Sequence, residues 1–349
     1  MRVLLTGGCG FIGSAVVRRA MGQHQLINID KMTYAASTEA LENAHIHPNH
    51  LLLRQDICDA AAMRAVFEEY QPDAVMHLAA ESHVDRSIDG PAAFVQTNVV
   101  GTFTMLEAAR SYFSSLNGEK KEKFRFHHVS TDEVFGALAD HDPAFDAQTP
   151  YDPRSPYSAS KAASDHLARA WMHTYGLPVI VSNTTNNYGK WQFPEKLIPL
   201  MIINALEEKP LPVYGDGKNI RDWLFVDDHA EALLKVVEHG KPGETYCIGA
   251  RQPRKNIDVV KAICACLDQK RPSPAGARER LITYVSDRPG HDHRYEIDPF
   301  SAETALNWQA EHDFEKGLST TIDWYLANQS WWQEIRAKTY SGHRLGSAL

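Results

Sequence analysis

Short apolar, β-branched runs alternate along the first half of the chain with longer stretches whose apolar residues recur every three to four positions. Val3 to Thr6, Gln25 to Ile29, Leu51 to Arg54, Ala74 to Leu78, Phe124 to Ser130 and Val179 to Ser182 read as strands. Between them, Phe11 to Met21, Ala60 to Tyr70, Pro91 to Ser115 and Tyr157 to Tyr175 carry the period of a helix. Strands apolar on both faces belong to a sheet covered on both sides, and strand–helix–strand alternation predicts parallel pairing through right-handed crossovers. The expected fold class is α/β, a doubly wound parallel sheet.

The rhythm changes after about Phe193. A short helix, the turn-rich Y-G-D-G-K-N from Tyr214 and small mixed elements follow, ending near Trp331 and Trp332. Asp-Gly between apolar runs is a hairpin signal, so this part reads as a smaller α+β lobe over the carboxyl end of the sheet. The expected division is residues 1–190 for the sheet domain with the reactive residues, 191–339 for the substrate lobe and 340–349 for a loose, Gly/Ser-bearing tail.

Composition narrows the partners. The 349 residues include 36 basic and 44 acidic ones, a formal charge of −8, which leaves no electrostatic footprint for nucleic acid or an anionic membrane. Any anionic ligand must be held by local groups. With 43% apolar and 23% charged residues, disorder of the bulk is excluded. No apolar run nears the ~18 residues of a membrane span, and M-R-V-L-L-T enters a strand without a signal-peptide layout, so the cytoplasm is the expected setting. Cys9, Cys58, Cys247, Cys264 and Cys266 are scattered, which predicts reduced thiols and neither a disulfide framework nor a zinc site.

Candidate chemistry begins at V-L-L-T-G-G-C-G-F-I-G-S-A. Gly8, Gly10 and Gly13 fit G-x-G-x-x-G between a strand and a helix, and Gly7, Gly10 and Gly13 fit a looser frame. Such glycines permit a tight turn, close approach of backbone to a pyrophosphate and tight helix packing, which makes the sheet Rossmann-type. The second strand ends in Asp30, placed to accept from adenosine ribose hydroxyls. A carboxylate there repels a 2′-phosphate, so NAD is expected over NADP, with Lys31 weakening the exclusion slightly.

The fifth strand runs into Ser130, Thr131, Asp132 and Glu133, at the sheet end where α/β ligands bind. Tyr157 and Lys161 stand at i and i+4 on one helix face. A nearby ammonium lowers a phenol from ~10, suiting Tyr157 as a base toward a substrate hydroxyl that Thr131 can also bond. Asp132 and Glu133 offer one acid to protonate and one to deprotonate, as an elimination needs. Arg221 suits bidentate contact with a diphosphate, with an ion pair to Asp222 or Asp227 as the plain alternative. His291 and His293 lack a third ligand at set spacing, so no metal is expected; His127 and His128 read as ordinary strand residues. The helices 91–115 and 157–175 carry more apolar residues than one buried stripe requires, which would suit a two-fold interface.

These motifs, with H-L-A-A-E-S-H-V-D-R-S-I from His77, S-T-D-E-V-F-G from Ser130, S-P-Y-S-A-S-K-A from Ser155 and N-N-Y-G from Asn186, resemble the extended short-chain dehydrogenase/reductases. F-P-E-K-L-I-P-L from Phe193, R-D-W-L-F-V-D-D-H-A from Arg221 and D-R-P-G-H-D-H-R-Y from Asp287 extend the resemblance, within that superfamily, to the dTDP-glucose 4,6-dehydratase family. Cys9 in place of Ala, Thr184-Thr185 in place of Cys-Ser and a short segment from Gly136 to Tyr157 are the departures.

The resemblance implies NAD along Gly7, Gly10, Phe11, Ile12 and Gly13, then Asp30, Lys31, Thr33, Asp56 and Ile57. It continues through Leu78, Ala79, Ala80, Ser82 and Thr97 to Tyr157, Lys161 and Asn187. Substrate contacts are implied at Ser82, Thr131, Asn186, Glu195, Lys196 and Leu197, and at Pro212, Tyr214, Arg221, Asn256, Asp287 and His291. The implied reaction on dTDP-glucose has Tyr157 take the O4 proton as C4 gives hydride to NAD, with Thr131 and Lys161 assisting. Glu133 then takes the C5 proton, Asp132 protonates the departing C6 hydroxyl, hydride returns to C6 and C5 is reprotonated, leaving a 4-keto-6-deoxy sugar. A homodimer is implied as well. The competing readings are an epimerase, decarboxylase or dehydratase on another nucleotide sugar such as a UDP-hexose, and a cofactor sensor without chemistry.

Overall fold

The computed structural model describes residues 1–346. The first half supplies β1 (Arg2–Thr6), β2 (Gln25–Ile29), β3 (His50–Leu53), β4 (Ala74–His77), β5 (Arg125–Thr131) and β6 (Val179–Thr184). Beyond them come β7 (Asn186–Tyr188), β8 (Leu211–Tyr214), β9 (Ile220–Phe225), β10 (Thr245–Ile248), β11 (Pro253–Lys255) and β12 (Ile282–Val285). Seven strands form one parallel sheet in the order β10-β6-β5-β4-β1-β2-β3. The order reverses between β1 and β4, and the crevice outside their carboxyl ends is the ligand position of a doubly wound sheet.

Both faces are dry, as the unbroken apolar runs predict. Val3 and Leu5 pack with Val16 and Val17 of α1 (Phe11–Ala20), while Leu4 turns to Met105 and Leu106 of α2 (Thr102–Ser115). The α3 helix (Pro156–Tyr175) covers the same face as α2 through Ala168. The predicted helix 91–115 is continuous, with a π-helical turn at Val95–Gly101 that periodicity does not reveal.

Three expectations need correction. The Asp-Gly turn joins no hairpin: β8 pairs in parallel with β12, whereas β9 lies between β7 and β11 in another sheet. Gly215 and Gly217, both at positive φ, set the turn; which strands then pair depends on the edges the lobe leaves free. The chain also re-enters the first body after residue 190, since α4 (Val226–His239) packs on α1 and β10 pairs with β6. The lobe proper has its own core around Ile202, Trp223, Ile263, Phe314 and Tyr325. Finally, 340–346 is anchored: Tyr340 is buried, Arg344 donates to the Ser286 carbonyl (2.9 Å), and the Gly346 N–H donates to Asp89 (2.9 Å). Residues 347–349 of the expected tail lie outside the described residues. No helix among the described residues is long and apolar enough to cross a membrane.

Candidate active site

Two adjoining cavities open at the carboxyl end of the sheet, both lined by Ser82, Gln192, Glu195 and Lys196. At the first, Gly10 is the N-cap of α1 and has no side chain to satisfy the first-turn N–H groups, which suits an anion. The structure resolves the glycine frame as Gly7, Gly10 and Gly13. Gly7 has φ +76°, and a Cβ on Gly13 would lie 2.1 Å from the Gly7 carbonyl oxygen. Gly8 packs instead against Asn28, 2.1 Å from where its Cβ would sit. Asp30 is fixed at the end of β2 by N–H donors from Cys9 (2.9 Å) and Met32 (2.8 Å). Burial pushes the neighbouring Cys9 thiol up to about 12, so it is inert filling. Glycines without Cβ atoms, a free helix N-terminus and a fixed acid together fit a dinucleotide.

Phe11, Ile12, Lys31, Thr33, Ile57, Leu78, Ala79, Ala80, Thr97, Tyr157 and Lys161 line this cavity with the residues above. Asp56 does not; it faces Lys31 at 3.6 Å and caps the Cys58 N–H. Asn187 lines the second cavity instead. Tyr34, Gln55, Glu81 and Phe193 also line the first, and no local pattern singles them out.

The reactive groups flank the two cavities: Tyr157 and Lys161 line the first and Glu133 the second, whereas Thr131 and Asp132 lie behind them and line neither. Thr131 ends β5 and caps a 3₁₀ turn, Asp132–Phe135, accepting from the Glu133 N–H (3.3 Å) and donating to Asp132 Oδ1 (3.2 Å). Asp132 is 1% exposed and its Oδ2 has no partner. Burial, then the Glu133 charge, push its carboxyl up to about 8, so it is protonated at neutral pH. Burial also raises Glu133, but Arg288, Arg221 and Lys196 oppose that and favour its charge. The two acids therefore sit in the unequal environments an acid–base pair requires.

The sequence S-P-Y-S starts α3 with reciprocal capping between Ser155 and Ser158, each side chain accepting the other's N–H at 3.0 Å, and Pro156 at the first turn. This places Tyr157 and Lys161 toward β5, where the Lys161 ammonium donates to the Val129 carbonyl (2.9 Å). The expected lowering of the phenol does not hold in the protein alone. Burial and Glu133 push Tyr157 above its ordinary value, because in a dry site the cost of a phenolate exceeds what the Thr131 hydroxyl returns.

The second cavity is lined by Asn186, Leu197, Pro212, Tyr214, Arg221, Asn256 and His291 of the expected substrate set, together with Glu133. Arg221 is no surface ion pair. It is buried over the Tyr295 ring (4.1 Å) and donates to the carbonyls of Ile220 (2.7 Å), His293 (3.4 Å) and Asp292 (2.9 Å), leaving two of its five N–H bonds. Lys196 donates to the Ser82 carbonyl (2.9 Å). Glu195 spends its carboxylate on Tyr34 (2.8 Å) and Arg86 (2.7 Å). Neither Thr131 nor Asp287 lines this cavity; Asp287 holds His291 at 2.6 Å. Arg288, paired with Asp85 (2.9 Å), is a lining cation that sequence reasoning missed, since nothing local distinguishes it. Side-chain oxygens of Asn186, Asn187, Gln192 and Asn256 are buried here without partners, as a polar ligand would require. His293 pairs with exposed Asp140, and His127 and His128 are buried strand residues bonded to Ser182 and Asp165.

The family model described as GDP-mannose 4,6 dehydratase matches residues 4–321. A probable dTDP-glucose 4,6-dehydratase of Sinorhizobium fredii is 57% identical over 99% of each chain, and dTDP-glucose 4,6-dehydratase 1 of Escherichia coli K12 is 55% identical over 97% of each. The crystal structure of a dTDP-glucose 4,6-dehydratase from Streptomyces venezuelae with NAD and TYD bound superposes with a TM-score of 0.87. It shares 38% identity, covering 96% of this chain and 100% of that one. On matches of this extent, the chain belongs to the dTDP-glucose 4,6-dehydratase family.

Proposed function

We propose that this chain dehydrates dTDP-glucose to the 4-keto-6-deoxy sugar nucleotide. The observation that carries the reading is the Asp132–Glu133 pair, two carboxyls in unequal electrostatic surroundings, with Glu133 lining a polar, cation-bearing cavity that adjoins the one that fits a dinucleotide. NAD, when bound, supplies a hydride acceptor at C4 and a donor at C6. In our reading Gly7, Gly10, Gly13 and Asp30 hold it. Arg221, Arg288 and Lys196 neutralise the substrate diphosphate, and the Pro212–Tyr214 strand walls the nucleoside. Tyr157 takes the O4 proton beside Thr131, and Lys161 keeps a positive charge close to that oxygen. The C4 ketone makes the C5 hydrogen acidic, Glu133 removes it, Asp132 gives its proton to the departing C6 hydroxyl, and C5 takes a proton back as C6 receives hydride. Substrate deuterated at C4 is expected to deliver that label to C6 of the product, read by NMR; label retained at C4 with the C6 hydroxyl intact would mean epimerisation instead.

The two-fold partner is part of the same proposal. Val95 (52% exposed), Phe103 (45%) and Tyr175 (49%) stand out along the 91–115 stretch and α3, apolar groups that a second copy would cover. Phe103→Glu is expected to convert a dimer to a monomer in sedimentation; an unchanged mass would count against this face. The five unpaired cysteines suit the reducing cytoplasm as its setting.

A further inference from the structure

Asp165 lies on α3 four residues beyond Lys161 and eight beyond Tyr157, so the three follow one another on one helix face. Its carboxylate is fully buried. It meets His128 Nε2 (3.0 Å) and accepts from Ser130 Oγ (2.8 Å) on β5, Tyr151 OH (2.9 Å) before α3 and Asn183 Nδ2 (3.3 Å) on β6. Two of those partners, Ser130 and Asn183, connect to the working site. Ser130 lines the dinucleotide cavity and leads into Thr131, Asp132 and Glu133, and Asn183 also donates to the Thr131 carbonyl (3.0 Å). Lys161 is buried, with the Val129 carbonyl as the acceptor of its ammonium. A buried ammonium and a buried carboxylate are each unfavourable alone.

We propose that Asp165 is a positioning residue for the oxidation step: it bolts the end of β5 to α3 and supplies a buried negative charge one helical turn from Lys161. This rests on the function proposed above. The other groups around Lys161 do not compete for that role. His77 on β4 and His128 on β5 are held neutral by burial, Arg169 on α3 is bonded to Tyr151 (2.9 Å), and the charges of Asp132 and Glu133 bear on Tyr157. Burial lowers the Lys161 pKa, and Asp165 is the acid that opposes it.

The test is single-turnover reduction of bound NAD by dTDP-glucose in the NAD-loaded enzyme, followed against pH. Asp165→Asn leaves burial unopposed, so Lys161 loses its proton sooner. The rate should fall at least tenfold at neutral pH, and its alkaline limb should move down by about one pH unit or more. Asp165→Glu should recover part of both. A uniform loss at every pH with the limb unmoved would mark a merely structural role and overturn the proposal. Should Asp165→Asn not fold, Tyr151→Phe removes one donor and keeps the charge. Asp165 then takes up a proton at higher pH, so the acid limb should move up, and an unmoved acid limb overturns the proposal. A wild type that does not reduce bound NAD with dTDP-glucose would overturn the function and this role together. A responsive wild type with unmoved variants overturns the role of Asp165 alone.

Discussion

Replacing Asp132 by Asn and Glu133 by Gln together should leave dTDP-glucose able to reduce bound NAD while slowing product formation by about 10² to 10⁴. Both substitutions keep side-chain volume, so the short 3₁₀ turn capped by Thr131 survives. What they remove is one proton to give and one site to receive. The native pair adds a pH signature. A carboxyl pushed up to about 8 is charged-poor below that pH and ionises above it. Elimination should therefore slow as pH rises through about 8, and because oxidation does not use this proton, the reduced nicotinamide should accumulate on the alkaline side. Rapid-mixing absorbance of the nicotinamide, paired with an assay of the keto-sugar, reads both steps. A double variant that forms product at the native rate would remove these residues from the chemistry.

Tyr157→Phe should give the opposite signature: no reduced nicotinamide on mixing, with the oxidation rate down by about 10² to 10⁴ and NAD still bound. The ring stays against Phe94 (centroids 6.2 Å apart), so melting should change little. The structure sharpens the expectation, because the phenol is held protonated by burial and by Glu133. Rising pH should therefore help the oxidation step until Lys161 loses its proton, and since it also ionises Asp132, overall turnover should peak between these effects. Near-native nicotinamide reduction by the Phe variant would place the base elsewhere.

The residues most legible in advance were those whose chemistry is local. Glycines between a strand and a helix, an acid ending β2, and Tyr and Lys one turn apart carry their meaning within a short window, because backbone sterics and helical pitch decide it. Of the cofactor residues expected, Asp56 is the instructive exception: the strand end is where predicted, but its carboxylate turns to Lys31 and the Cys58 N–H. Glu195, expected as a substrate contact, lines both cavities, yet Tyr34 and Arg86, over a hundred residues away in the chain, decide what its oxygens do.

The amino-acid order alone determined the alternating apolar runs, hence a parallel sheet with both faces covered, and the glycine turn, hence an anion at the start of α1. Those follow from periodicity and from allowed dihedral angles, which need no distant partner. Tertiary structure decided the rest: that β8 pairs with β12 and not with β9, that β10 returns to the first sheet, that Arg288 joins Arg221 and Lys196, and that residues 340–346 are anchored. It also decided the protonation of the site. Asp132, Glu133 and Tyr157 are ordinary side chains in sequence, and what sets them apart is the water they lose and the charges that reach them, quantities that exist only once the chain has closed around them.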